Sequence, residues 1–134
     1  MQLSADGEAM VFHDAALGRL TEASESVASK SAAALGRLGI AGSAETMPTL
    51  SAFLAAVDGA VPVVIEVKSR YDGDLRLATR SADVAAAYKG PVALKSFDPQ
   101  IVAALRDHCP PTVPQGRDDP VSYTHLTLPT ILRV

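Results

Sequence analysis

The stretch Val61-Pro-Val-Val-Ile-Glu-Val-Lys68 decides the fold. Pro62 opens it, and Val63–Val67 is apolar and β-branched except at Glu66. That composition suits a strand of a parallel sheet covered on both faces. A polar loop, Ser69–Asp74, follows. Leu75–Tyr88 then reads as a helix ended by Gly90 and Pro91. Val92–Leu94 is the next expected strand and Lys95–Asp98 its exit loop. Asp98 is expected to cap a second helix with Pro99 at its first position. Ile101, Val102, Ala104 and Leu105 form its apolar side as far as His108. The order strand–helix–strand–helix argues for an α/β fold with a parallel sheet and right-handed crossovers.

Upstream the pattern is less regular. Asp6-Gly7 signals a tight turn between the end of one strand and a second, Ala9–Phe12. Ala15–Ser26 is polar and irregular. A short helix is expected over Ser29–Leu38, broken up by Gly36, Gly39 and Gly42. Thr49 would cap a helix over Leu50–Val57 that stops at Gly59. Downstream, Pro110, Pro111, Pro114 and Pro120 break regular structure, so residues 110–120 are expected to be irregular. Residues 121–134, VSYTHLTLPTILRV, are expected to be a non-native tail. VSYTHL can be encoded by a sequence resembling the mosaic-end adaptor of transposase-based sequencing libraries, so this segment is not expected to be part of the fold.

Composition narrows the function classes. The chain has 134 residues, 48% of them hydrophobic but only 4% aromatic, with no Trp. Its core is therefore built from Ala, Val, Leu and Ile, as in α/β proteins. The net charge is −3 and no basic face is visible, so nucleic acid is not an expected partner. No apolar run reaches the roughly 20 residues of a membrane span. Cys109 is the only cysteine, which excludes an internal disulfide. The favoured compartment is the cytoplasm, with the true N-terminus expected upstream. The oligomeric state is left open.

Two strand ends carry the candidate chemistry. By strand alternation Val64, Glu66 and Lys68 share one face, and Val63, Ile65 and Val67 share the other. The wholly apolar face suits a layer of helices. The other places a carboxylate and an ammonium at the C-terminal end of a strand, where active sites form in barrels and open parallel sheets. The same spacing also fits a structural Glu66–Lys68 ion pair. In the segment Val11–Thr21, His13 and Asp14 follow an apolar strand. An imidazole there suits general acid–base work, with Asp14 orienting it. The pair equally fits a turn without chemistry. Lys95 offers a phosphate contact or a plain loop position, and no zinc-type Cys or His spacing occurs.

Four segments, in order, resemble the glycerophosphodiester phosphodiesterase family. LSADGEAMVFHDAALGRLT is similar to the family's strand–turn–strand that delivers a His-Asp pair, with Leu17, Arg19 and Thr21 at matching positions. ETMPTLSAFLAAV resembles its "iP-TL-e-l" helix, VPVVIEVKSR its "IEIK" strand, and VALKSFDPQIVAALR its "SF-dp--l--l" segment. The resemblance covers roughly Leu3–His108. It implies a partial TIM (β/α)8 barrel of the PLC-like phosphodiesterase type over residues 1–109, since a whole barrel takes about 250 residues. It implies metal-dependent cleavage of a glycerophosphodiester, such as glycerophosphocholine, into glycerol 3-phosphate and an alcohol. His13 would be catalytic, Glu66 a ligand of Mg²⁺ or Ca²⁺, Lys68 a phosphate-binding charge and Asp14 supporting. His13 and Glu66 are then expected to serve one hollow. The family's His-Arg-Gly and Glu-x-Asp motifs are absent, so the chain by itself is expected to be inactive. Two competing expectations are a non-catalytic barrel-fragment interaction module and a related phospholipase-type phosphodiesterase.

Overall fold

Local sequence dictates most of what the computed structural model shows, and the structure describes residues 1–21 and 23–117. The chain forms two units, Met1–Asp58 and the segment from Gly59 onward.

In the first unit, strands β1 (Gln2–Leu3) and β2 (Ala9–Met10) pair antiparallel, Gln2 opposite Met10 and Leu3 opposite Ala9. The Asp6-Gly7 turn joins them as expected. Gly7 sits at φ +85°, and Ser4 N donates to Glu8 O at 2.9 Å. The second strand is shorter than the expected Ala9–Phe12. Val11 instead donates to Pro48 O at 3.0 Å, which ties it to the entry of a helix. A 3₁₀ turn, Val27–Ser29, precedes α1, which spans only Ala32–Leu35. The alanines favour helix, but Gly36 ends it after one turn. α2 (Leu50–Val57) has the expected bounds and cap, Ala52 N donating to Thr49 Oγ1 at 3.2 Å. Asp58, at φ 47°, closes it in the left-handed region just before Gly59. Met10, Phe12, Leu17, Val27, Leu35 and Met47 form this unit's core.

The second unit is the strand–helix alternation. β3 (Val63–Glu66), β4 (Val92–Ser96) and β5 (Gln115–Arg117) lie in that order, all parallel. α3 (Arg76–Ala87) and α4 (Pro99–His108) provide the crossovers and pack on each other and on β4. Ile65, Val67, Val92, Leu94, Ile101 and Leu105 are buried in this unit. Glu66, Lys68 and Val64 lie on the other face of β3, and Val64 is 50% exposed.

Two differences from the sequence reading matter for the site. β4 runs on through Ser96, so Lys95 is a strand residue and not part of an exit loop. It pairs in register with Glu66 on one side and Gly116 on the other. The Pro-rich segment is also not irregular throughout, because Gln115–Arg117 forms β5. Pro114 lies just before the strand, where its carbonyl accepts from Leu94 N at 2.9 Å and its missing N–H costs nothing. The expected tail at 121–134 lies outside the described residues. Among the described residues no helix is long and apolar enough to cross a membrane.

Candidate active site

His13 follows β2 at the surface. Its backbone carbonyl accepts from Gln2 Nε2 at 2.8 Å, which holds the residue against β1. Its Nδ1 lies 2.6 Å from Asp14 Oδ1, and the other oxygen of Asp14 accepts from Arg19 Nε at 2.5 Å. Asp14 can only accept, so it keeps a proton on His13 Nδ1 and leaves Nε2 as the basic nitrogen. Arg19, and then His13, hold the Asp14 carboxyl down at about 2. His13 itself stays open to solvent, with 69% of its side chain exposed.

The loop after His13 is irregular but anchored. Leu17 is fully buried in the core of the first unit, and its N donates to Glu25 O at 2.9 Å. Thr21, also buried, donates from Oγ1 to Leu17 O at 3.1 Å. The three positions that carry the resemblance here therefore have distinct jobs. Leu17 seats the loop, Thr21 closes its turn, and Arg19 orients Asp14.

Glu66 and Lys68 form the second cluster. Lys68 Nζ is 2.6 Å from Glu66 Oε1, and both side chains are about a quarter exposed, 27% and 25%. The predicted shared face is thus observed, and so is the ion pair that the structural alternative requires. Both residues line an open hollow of about 180 Å³ at the C-terminal ends of β3 and β4, together with Ser69, Tyr71, Phe97 and Asp98. Tyr71 stands at its edge, 69% exposed and at φ 57°. Asp98 is the expected helix cap, Oδ1 accepting from Gln100 N at 2.9 Å. It also does something the sequence reading missed, since its Oδ2 accepts from Ser69 Oγ. His108 lies in the last turn of α4, with Nδ1 2.8 Å from Ala104 O.

His13 and Asp14 belong to the first unit, and Glu66 and Lys68 to the second. For a divalent cation the described residues do not suffice. Such an ion takes six or more oxygen ligands or keeps several waters. Glu66 offers one carboxylate, already in contact with Lys68, and no group of three His, Cys, Asp or Glu side chains is gathered among the described residues.

Comparison with known proteins fixes the family. The model of the glycerophosphoryl diester phosphodiesterase family matches residues 1–132. The chain belongs to that family. No curated protein sequence matches it. Among solved structures it is similar to an Oleispira antarctica phosphodiesterase determined with the product sn-glycerol-3-phosphate. The TM-score is 0.77 at 22% identity, over 86% of this chain and 50% of that one. It is also similar to the glycerophosphoryl diester phosphodiesterase domain of a Mycobacterium tuberculosis protein, with a TM-score of 0.67 at 20% identity, over 86% and 46% respectively. The chain spans about half the length of these structures. The likeness establishes the fold as that of the TIM-barrel phosphodiesterases, as the resemblance implied, although the described strands do not close a barrel.

Proposed function

We propose that this family member contributes to the hydrolysis of glycerophosphodiesters to glycerol 3-phosphate and an alcohol. The observation that carries the reading is the Arg19–Asp14–His13 chain. A histidine whose Nδ1 is fixed by a pinned carboxylate presents Nε2 for proton transfer. In the reaction water supplies the new oxygen on phosphorus, the P–O bond to the alcohol breaks, and the departing oxygen takes a proton. The attacking water gives up one proton in exchange, and His13, once protonated at Nε2, delivers the proton to the departing oxygen and returns to its basic form. Lys68, at the rim of the hollow, offers a point charge to phosphate oxygens. Asp14 supports His13. Glu66 is proposed as one oxygen ligand of Mg²⁺ or Ca²⁺. The described residues do not complete that ligand set.

The test is release of glycerol 3-phosphate from glycerophosphocholine and its relatives, by this chain and by the gene product extended on both sides. The extended protein is expected to be active and the 134-residue chain inactive. His13→Ala in the extended protein is expected to lower kcat by about 10²–10⁴-fold. An extended protein with His13, Glu66 and Lys68 intact that cleaves no glycerophosphodiester would sink the proposal. A second reading, a non-catalytic module, is favoured by the direct Lys68–Glu66 contact, and the same result would support it.

A further inference from the structure

Lys68 lies between two residues that are each tied down. On its N-terminal side Val67 N donates to Lys95 O at 2.8 Å, and Val67 O accepts from Ser96 Oγ at 2.8 Å. On its C-terminal side Ser69 Oγ donates to Asp98 Oδ2 and accepts from Tyr71 N at 2.9 Å. The two ties meet, because Asp98 N donates to Ser96 Oγ at 3.2 Å. Ser96 is 1% exposed and Asp98 4%. Burying these polar groups is costly unless each is satisfied, and here they satisfy one another.

Capping α4 does not explain this arrangement. A cap needs one acceptor oxygen, and serine or threonine at position 98 would supply it. Asp98 uses one oxygen for the cap and the other for Ser69, which lies 29 residues earlier in the chain. The second oxygen acts on the loop that leaves β3, immediately beside Lys68.

We propose that Ser69 and Asp98 are positioning residues for Lys68. With Ser96 they fix the backbone on both sides of it, so that Nζ stays on Glu66 at the rim of the hollow. The functional meaning of the clamp rests on the phosphate-side role given to Lys68 above, but its existence does not.

The test reads Lys68 directly. The full chain is treated with limiting acetic anhydride, and the acetylation rate of Lys68 relative to exposed Lys89 is followed by mass spectrometry. In the unmodified chain Lys68 is expected to react more slowly than Lys89. Glu66→Gln is expected to raise the ratio, which calibrates the readout. Ser69→Ala keeps the Asp98–Gln100 cap and is expected to raise the ratio about three-fold or more, the size of one lost hydrogen bond. Ser69→Thr, which retains the hydroxyl, is expected to restore it. Asp98→Asn keeps a cap oxygen but meets Ser69 Oγ only as a neutral amide, a weaker partner than the carboxylate, and is expected to raise the ratio less than Ser69→Ala does. A Lys68-to-Lys89 ratio that Ser69→Ala leaves unchanged while Glu66→Gln raises it would overturn the proposal. A raised ratio in Ser69→Ala together with an inactive extended enzyme would leave the clamp standing and remove the phosphodiesterase reading.

Discussion

Replacing Arg19 by Met should release Asp14 and be visible as a titration. Asp14 titrates at about 2 in the folded chain against a usual 3.8, and the hydrogen bond from Arg19 is the largest cause, followed by that from His13. Removing the first cause leaves the second, so the Asp14 carboxyl in Arg19→Met should titrate between about 2 and 3.8, and nearer the upper value. Arg19 is largely exposed, with 64% of its side chain open to solvent, so the substitution removes the charge without opening a cavity. The effect on stability has a definite sign. A carboxyl whose folded pKa lies below its unfolded value adds stability that is fully present above about pH 4 and is lost as pH falls toward 2. The difference in stability between the unmodified chain and the variant should therefore be largest above about pH 4 and vanish only below about pH 2. Carbon-13 titration of the side-chain carboxyls reads the pKa, and urea unfolding at a series of pH values reads the stability. An Asp14 that still titrates at about 2 in Arg19→Met would refute the reasoning, and would mean that His13 alone holds it.

Two further substitutions test the packing of the second unit. Ser81 is fully buried in α3 and its Oγ meets no partner among the described residues, so Ser81→Ala should be neutral or stabilise the fold by up to about 1–3 kcal/mol, read from urea midpoints. Leu94 lies at the centre of β4 and is 1% exposed, so Leu94→Ala should cost about 2–5 kcal/mol by the same measurement.

The alternating part of the fold was legible because its signals are local. The apolar run at Val63–Val67, the Gly90-Pro91 stop and the Asp98-Pro99 start each lie within a few residues of what they determine. Thr49 capping α2 is the same kind of signal. β5 was not legible, because Gln115-Gly116-Arg117 carries no apolar pattern. It is a strand only because β4 offers it an edge. The length of β4 failed for a related reason. Lys95 and Ser96 read as loop residues, yet Glu66 and Gly116 flank Lys95 and extend the ladder. At the site, the pairing of Glu66 with Lys68 followed from strand alternation, whereas the Ser69–Asp98 tie spans 29 residues and leaves no local trace. The Arg19–Asp14 contact crosses an irregular loop, and only the resemblance pointed to Arg19.

The two clusters share a physical device, which explains why aspartate stands at both positions. Asp14 gives one oxygen to the residue proposed for chemistry, His13, and the other to an anchor, Arg19. Asp98 gives one oxygen to the start of α4 and the other to Ser69, beside Lys68. In each case one carboxyl ties two separate groups together through two acceptors a little over 2 Å apart, with little chain between them to flex. Asparagine would turn one acceptor into a donor, which clashes with the donor-only Arg19 guanidinium at position 14 and replaces a charged acceptor by a neutral group facing Ser69 at position 98. Glutamate would keep both acceptors but add a rotatable bond, whose ordering costs entropy and loosens the hold. A short side chain with two accepting oxygens meets both demands best, and in each unit it stands beside a residue, in the chain or in space, that is a candidate for the reaction.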